Sequence, residues 1–241
     1  MMRCIVLPDV ESVEDEATRR LVAGIGKAQA QHGRCALALA GGSTPRGVYR
    51  RLAAWPGVDW QRVLVFWGDE RAVPPDSPDS NQRLAREALL DQVPIPPSQV
   101  HPMPAGSPDL DSAARQYEDL LCSLLGRPPR LDLVLLGLGE DAHTASLFPG
   151  SAAAAERARF VVATPAPVIA SRLTLTIPAL AAADSLLFVV HGASKAWALR
   201  QVLHAAPDPL RVPAHALRDA AVTFVVDRAA AGDRSAHGSP S

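Results

Sequence analysis

Residues 131–150 read LDLVLLGLGEDAHTASLFPG: an apolar run halts at Gly137 and Gly139, and Glu140, Asp141 and His143 follow at once. An imidazole titrates near pH ~6.5, so His143 is suited to taking and returning a proton near neutrality. Asp141, two residues earlier, is placed to orient the ring. A helix starting near Thr144 would point N–H groups at a developing oxyanion. The plainer reading makes His143 a polar residue near a helix start. The same stretch fits the loose dinucleotide fingerprint G-x-G-x-x-G/A through Gly137, Gly139 and Ala142. That fingerprint needs an acid about 20 positions on, at the end of the next strand, to hold a ribose. The next strand candidate ends in Ala163, Thr164 and Pro165 instead. No nicotinamide or flavin cofactor is expected.

Other polar groups also follow apolar runs. GGSTPRG, residues 41–47, joins two glycines to Ser43 or Thr44 as a helix cap and Pro45 in the first turn. A helix beginning there offers free N–H groups and a partial positive charge, which suits a phosphate; an ordinary capped turn fits the pattern as well. It is not a Walker A loop, since Gly-Lys-Ser/Thr is missing. GDERAVPPDSPDSN, residues 68–81, crowds Asp69, Glu70 and Arg71 onto one loop. Either these form a solvated salt-bridge cluster, or Asp69 holds sugar hydroxyls while Arg71 reaches an anion. Asn81 reads as a helix cap. Arg172 opens SRLTLTIPAL and Lys195 sits in VVHGASKAWAL. Each is a solvated cation by itself and a phosphate clamp if an anion site is present. His191 reads as structural or as a support behind the site residues. No histidine pair has metal-ligand spacing with a nearby acid, and no G-x-S-x-G elbow suggests an acyl-enzyme.

These groups need a scaffold that brings strand ends together. Strand candidates are 4–7, 35–40, 63–67, 131–137, 160–164, 172–177, 185–190 and 222–226, mostly apolar on both faces, as in a buried parallel sheet. Helical periodicity falls at 11–31, 45–54, 81–91, 110–125 and 194–204. The alternation predicts a three-layer α/β/α fold with a mainly parallel, doubly wound sheet, whose ligands bind beyond the carboxyl ends of the strands. With 241 residues, 48% of them hydrophobic, one catalytic domain over 1–228 is expected, followed by a disordered tail at 229–241. The proline-rich stretch 91–109 reads as a long surface connection inside that domain. With 24 basic and 25 acidic residues, bulk charge draws the chain to neither nucleic acid nor an acidic membrane, so anion binding must be local. The N-terminus has no signal-peptide pattern and no apolar run reaches ~18 residues. Three scattered cysteines, Cys4, Cys35 and Cys122, suit a reducing cytoplasm.

Taken in order, LALAGGSTPRGVYRRL, WGDERAVPPDSPDSN, LDLVLLGLGEDAHTASLFPG, SRLTLTIPAL and VVHGASKAWAL resemble the 6-phosphogluconolactonase family over roughly residues 10–228. The resemblance implies a fold of the type shared with glucosamine-6-phosphate deaminase and ribose-5-phosphate isomerase. It implies metal-free hydrolysis of 6-phospho-D-glucono-1,5-lactone; no cofactor, nucleic-acid or membrane partner is expected, and a monomer is expected with an oligomer left open. The histidine of the family's D-G-H-T-A-S-L-F-P motif, the general base, falls on His143. Gly42, Ser43, Thr44, Arg71, Arg172 and Lys195 fall on positions lining the substrate or phosphate site. Ala142 departs from the family's glycine; if its φ is positive, alanine adds about 1 kcal/mol or more of strain.

Two alternatives carry different chemistry. A hexosamine-6-phosphate deaminase would use Asp69 on the C2 proton, but deaminases carry a pattern like H-I-A-F-N-E-P where this chain has H-T-A-S-L-F-P. A sugar-phosphate-sensing repressor would need a helix-turn-helix segment, for which the residues before the first helix leave no room.

Overall fold

The computed structural model describes residues 2–166 and 170–232. Strand β1 (Arg3–Leu7) leads into α1 (Val10–His32), capped by Asp9 Oδ1 accepting from the Ser12 N–H at 2.8 Å. Val13, Ala17, Leu21, Ile25 and Ala28 recur at helical spacing and bury one stripe of α1. β2 (Cys35–Leu39), α2 (Ser43–Ala53), β3 (Val63–Trp67), α3 (Asn81–Ala88), α4 (Leu110–Leu125) and β5 (Leu133–Leu136) follow, with a three-residue strand, β4 (Asp69–Arg71), directly after β3. The chain closes with α5 (Ala152–Ala155), β6 (Val161–Thr164), β7 (Arg172–Leu175), α6 (Ile177–Ala181), β8 (Leu186–Val190), α7 (Ala196–His204) and β9 (Val222–Asp227).

Six strands form one parallel sheet in the order β1-β9-β8-β5-β2-β3. Every residue of β2, β5 and β8 is buried, which accounts for their unbroken apolar runs. From β2 the chain moves one way to β3 and then back past β2 to β5, so the winding reverses between β2 and β5. A crevice opens at the carboxyl ends of strands at such a switch point. The fold is the α/β architecture expected. At the outer edge of β3, the proline-rich segment lies against the sheet: Val100 bridges Val65, the His101 N–H donates to Val65 O at 2.8 Å, and His101 stacks on Phe66 at 5.0 Å. A covered edge is protected from pairing with other chains.

One expectation is corrected. The candidates at 160–164 and 172–177 do not join the main sheet; with β4 they make a separate antiparallel sheet, β4-β7-β6. Parallel pairing needs a crossover of a dozen or more residues. β4 follows β3 after Gly68 alone, and only seven residues separate β6 from β7. The second strand also stops at Leu175, because Ile177 and Pro178 open α6. Neither α5 nor α6 is long enough to show a helical period in sequence. Residues 229–232 form a turn with Ala230 fully buried, while the rest of the expected tail lies outside the described residues. Among the described residues, no helix is long and apolar enough to cross a membrane.

Candidate active site

A cavity of about 220 Å³ opens where the winding reverses. Its wall draws on the ends of β2, β3, β5 and β8 and contains Gly42, Thr44, Asp69, Arg71, His143 and Lys195. Of the other residues singled out from sequence, Asp141 reaches it through His143, while Arg172 is not among its lining residues.

The first wall is the 41–44 turn. Neither Ser43 nor Thr44 caps α2, contrary to expectation. The cap is Gly42, with φ 97° and no side-chain hydrogen bond, and Ser43 is the first helical residue. A glycine at the cap has no side chain to take the first-turn N–H groups, which begin beside the cavity. Tyr49, fully buried on the next turn, anchors the approach to this bend: its hydroxyl donates to Ala40 O at 2.6 Å and accepts from the Ala40 N–H at 2.9 Å.

The second wall is β4, where three neighbouring charges have three different fates. Asp69 faces the cavity, and its Oδ2 accepts from Ser146 Oγ at 2.6 Å. Glu70 points away and is buried. Its carboxylate accepts from the N–H groups of Arg71, Asn81 and Gln82 at 2.7–2.8 Å and from Ser80 Oγ at 3.1 Å. Burial pushes the Glu70 carboxyl up against the pull of those hydrogen bonds. Its role is to tie the start of α3 to β4, so the solvated-cluster reading fails for Glu70. Arg71 lines the cavity and donates from Nη1 to Asp79 O at 2.6 Å. Arg172, directly opposite Arg71 in the β4–β7 pairing, is buried. Burial, followed by repulsion from Arg71, holds its guanidinium below the usual range, against the opposing pull of Asp69 and Glu70.

The third wall is the loop after β5. His143 Nδ1 lies 2.5 Å from Asp141 Oδ1, and the ring leans on Phe148 with centroids 4.8 Å apart. Gly139 makes this possible: a Cβ there would fall 2.0 Å from His143 Nδ1. Partial burial pushes the Asp141 carboxyl up, but the His143 imidazole and N–H outweigh it and keep the carboxyl below its ordinary value. The expected helix from Thr144 is absent. The backbone turns repeatedly instead, with positive φ at Ala142 (71°) and Ala145 (48°), and the next helix is α5. The loop is pinned by Thr144 Oγ1 donating to Gly137 O at 3.0 Å and by the Ser146 N–H donating to Thr174 Oγ1 at 3.1 Å.

Lys195 closes the fourth wall from a single 3-10 turn, 193–195, ahead of α7. The turn starts at Gly192, whose N–H donates to both Asp227 carboxylate oxygens at 3.0–3.1 Å. His191, read from sequence as structural, lines the cavity. Sequence reasoning also missed Asn81, which caps nothing and lines the cavity, and Ser146, which holds Asp69. Adjacent Ser80 and Asn81 were a usable signal, since a helix has one N-cap and the other residue is released. Outside the cavity, His32, Asp132 and Asp184 bring one ligand atom each within 4.8 Å of one another, a group no spacing rule revealed.

Known proteins share both pattern and shape. The sequence model of the family described as glucosamine-6-phosphate isomerases/6-phosphogluconolactonase matches residues 8–226. A 6-phosphogluconolactonase of Synechocystis is 45% identical over 79% of this chain and 80% of its own. That of Mycobacterium tuberculosis is 41% identical over 87% of this chain and 88% of its own. The solved 6-phosphogluconolactonase of Trypanosoma brucei superposes with a TM-score of 0.85 at 30% identity, covering 98% of this chain and 99% of that one. A monomeric glucosamine-6-phosphate deaminase superposes nearly as well, at 0.84 and 26%. The chain belongs to the glucosamine-6-phosphate isomerase/6-phosphogluconolactonase family and stands, by these relatives, on its lactone-hydrolysing side.

Proposed function

We propose that this chain hydrolyses 6-phospho-D-glucono-1,5-lactone to 6-phosphogluconate, the second step of the oxidative pentose phosphate pathway, with His143 as general base. The carrying observation is the His143–Asp141 pair, 2.5 Å apart, on the same cavity as an uncapped helix start and two cations. A carboxylate only accepts, so His143 Nδ1 carries the proton and Nε2 is left as the acceptor. Nε2 takes a proton from water as the water oxygen bonds to the lactone C1. The resulting imidazolium, steadied by Asp141, returns the proton to the ring oxygen as the C1–O bond breaks. The N–H groups of Gly139, Ala142 and His143 are already engaged within the loop. Charge on the tetrahedral oxygen is therefore met by a cavity cation, Arg71 or Lys195. The 41–44 turn, with whichever of Arg71 and Lys195 does not meet that oxygen, takes the phosphate, and Asp69 takes sugar hydroxyls; Arg172 acts from behind Arg71. The phosphate is remote from the bond broken, so its contacts supply alignment.

The test follows acid release from freshly generated 6-phosphogluconolactone against spontaneous hydrolysis. Acceleration is expected; a rate equal to the blank overturns the reading, and ammonia release from glucosamine 6-phosphate would put the deaminase in its place.

A further inference from the structure

Asn81 is the first residue of α3, fully buried, and its side chain is not needed there. The helix start is already satisfied twice. Ser80 Oγ accepts from the Arg83 N–H at 3.1 Å, and the Glu70 carboxylate takes the N–H groups of Asn81 and Gln82 at 2.8 and 2.7 Å. The Asn81 amide turns instead toward the cavity, between two of its walls. Nδ2 donates to Asp69 O at 2.8 Å and lies 3.4 Å from Asp69 Oδ1. A backbone carbonyl can only accept, so this contact fixes which end of the amide is which. Oδ1 is then forced to face the 41–44 turn, where Gly41 has only hydrogen; a Cβ on Gly41 would sit 1.8 Å from it. Among the described residues, this buried oxygen has no hydrogen-bond partner. An apolar side chain of the same size would avoid that cost, so the amide is there for its geometry.

We propose that Asn81 is a positioning residue that holds Asp69 and the 41–44 turn at a fixed separation, so that the sugar and phosphate ends of one ligand are gripped in register. The inference rests on the lactonase reading, in which Asp69 and the turn bind those two ends. Asp69 is then held from two sides, by Ser146 on the His143 loop and by Asn81 on α3, while Gly41 is a glycine because the Asn81 amide occupies its side-chain space.

The experiment compares wild type, Asn81→Ala, Asn81→Asp, Gly41→Ala and the double variant Gly41→Ala/Asn81→Ala. It reads KM and kcat on 6-phosphogluconolactone, Kd for 6-phosphogluconate by calorimetry, and Tm. Asn81→Ala should raise KM and Kd together by at least about tenfold while kcat changes less than about threefold, the mark of lost binding common to ground and transition states. Asn81→Asp keeps the shape but sets an acceptor against the Asp69 carbonyl, so it should not rescue. Gly41→Ala should match Asn81→Ala, and the double variant should be no worse than either single one, because neighbours sharing one contact are non-additive. A lowered Tm with KM and Kd within twofold of wild type would make Asn81 a packing residue and overturn the proposal. Should Asn81→Ala fail to fold, Asn81→Ser is read against the same limits. If wild type itself does not accelerate hydrolysis, the lactonase reading falls and takes this inference with it; wild-type acceleration with unmoved variants sinks the inference alone.

Discussion

Among the described residues a histidine–aspartate pair lies at each end of the parallel sheet, and only one of the two borders the cavity. At the carboxyl end, His143 Nδ1 lies 2.5 Å from Asp141 Oδ1; at the amino end, His32 Nε2 lies 3.7 Å from Asp132 Oδ1. Burial does not separate them in the expected direction. Asp141 is 50% exposed and Asp132 only 15%. What separates them is the partner each carboxylate serves. Asp141 serves His143 through both ring and backbone, in a loop where Gly139 clears space for the ring. Asp132 gives its other oxygen to the Ala36 N–H at 2.7 Å and so ties β2 to the start of β5, with His32 as an exposed afterthought. The same two residue types make a tight pair beside the cavity where the backbone is bent to present them, and a structural brace where it is not.

The sharpest way to break the comparison is to remove the base. His143→Ala should cut kcat by about a thousandfold while the protein stays folded, within the usual range for a lost general base. A folded variant with near wild-type turnover on the lactone would end the assignment. Asp141→Asn should cost about as much, roughly a thousandfold or more, because an amide N–H facing Nδ1 favours the wrong tautomer and the amide does not steady the imidazolium. Its effect on stability depends on pH with a fixed sign. Asp141 is held below its ordinary carboxyl value, so the wild-type pair contributes fully above about pH 4 and loses that contribution as pH falls through the lowered value. The gap in melting temperature between wild type and Asp141→Asn should therefore narrow between pH 6 and pH 3. A gap that widens on acidification would mean the carboxyl is not held down by the imidazole.

How much of this could be read in advance differs from element to element for physical reasons. The strands β2, β5 and β8 were legible because both faces are buried, leaving unbroken apolar runs. The antiparallel sheet was not: β4 is three charged residues, and its partner β7 lies about a hundred positions away. Gly139 drew notice as part of a nucleotide fingerprint, yet it is glycine because an imidazole occupies the space of its Cβ. The loop after His143 looked helical because turn signals are Gly, Asn, Asp and Pro, whereas the bends here fall on Ala142 and Ala145. Asn81 shows in the sequence only as one cap candidate too many beside Ser80; its hold on the Asp69 backbone leaves no spacing signature.

Ala142 gives the next smaller effect. Positive φ costs an L-residue about 1–2 kcal/mol, so glycine looks like an improvement. Two terms oppose it: glycine loosens the unfolded chain by about 0.4–1 kcal/mol, and the fully buried methyl contributes roughly 0.8 kcal/mol. The sums cancel, which is why alanine is tolerated beside His143. Ala142→Gly should move stability by less than about 0.5 kcal/mol in urea melts. Ala142→Val, β-branched at positive φ and without room, should cost about 2 kcal/mol or more and lower kcat as the His143 loop shifts. A clear gain from Ala142→Gly would show that the methyl packs poorly and that the loop carries real strain.

The smallest effect belongs to the other pair. His32 is 49% exposed and stands 3.7 Å from a carboxylate that is already bonded to backbone. Exposed pairs of this kind contribute about 0–1 kcal/mol. The Ala36 N–H keeps Asp132 in place whether or not His32 is present, and Asp184 is separately engaged by Arg130 Nε at 2.5 Å. His32→Ala should leave kcat and KM on the lactone within about twofold and cost at most about 1 kcal/mol, read from turnover and urea melts on one preparation. A large loss of turnover would mean that the two ends of the sheet communicate, because His32 is not among the residues lining the cavity. A large loss of stability alone would place His32 in the brace between β2 and β5, and the contrast with His143 would then rest on chemistry and no longer on how firmly each pair is built.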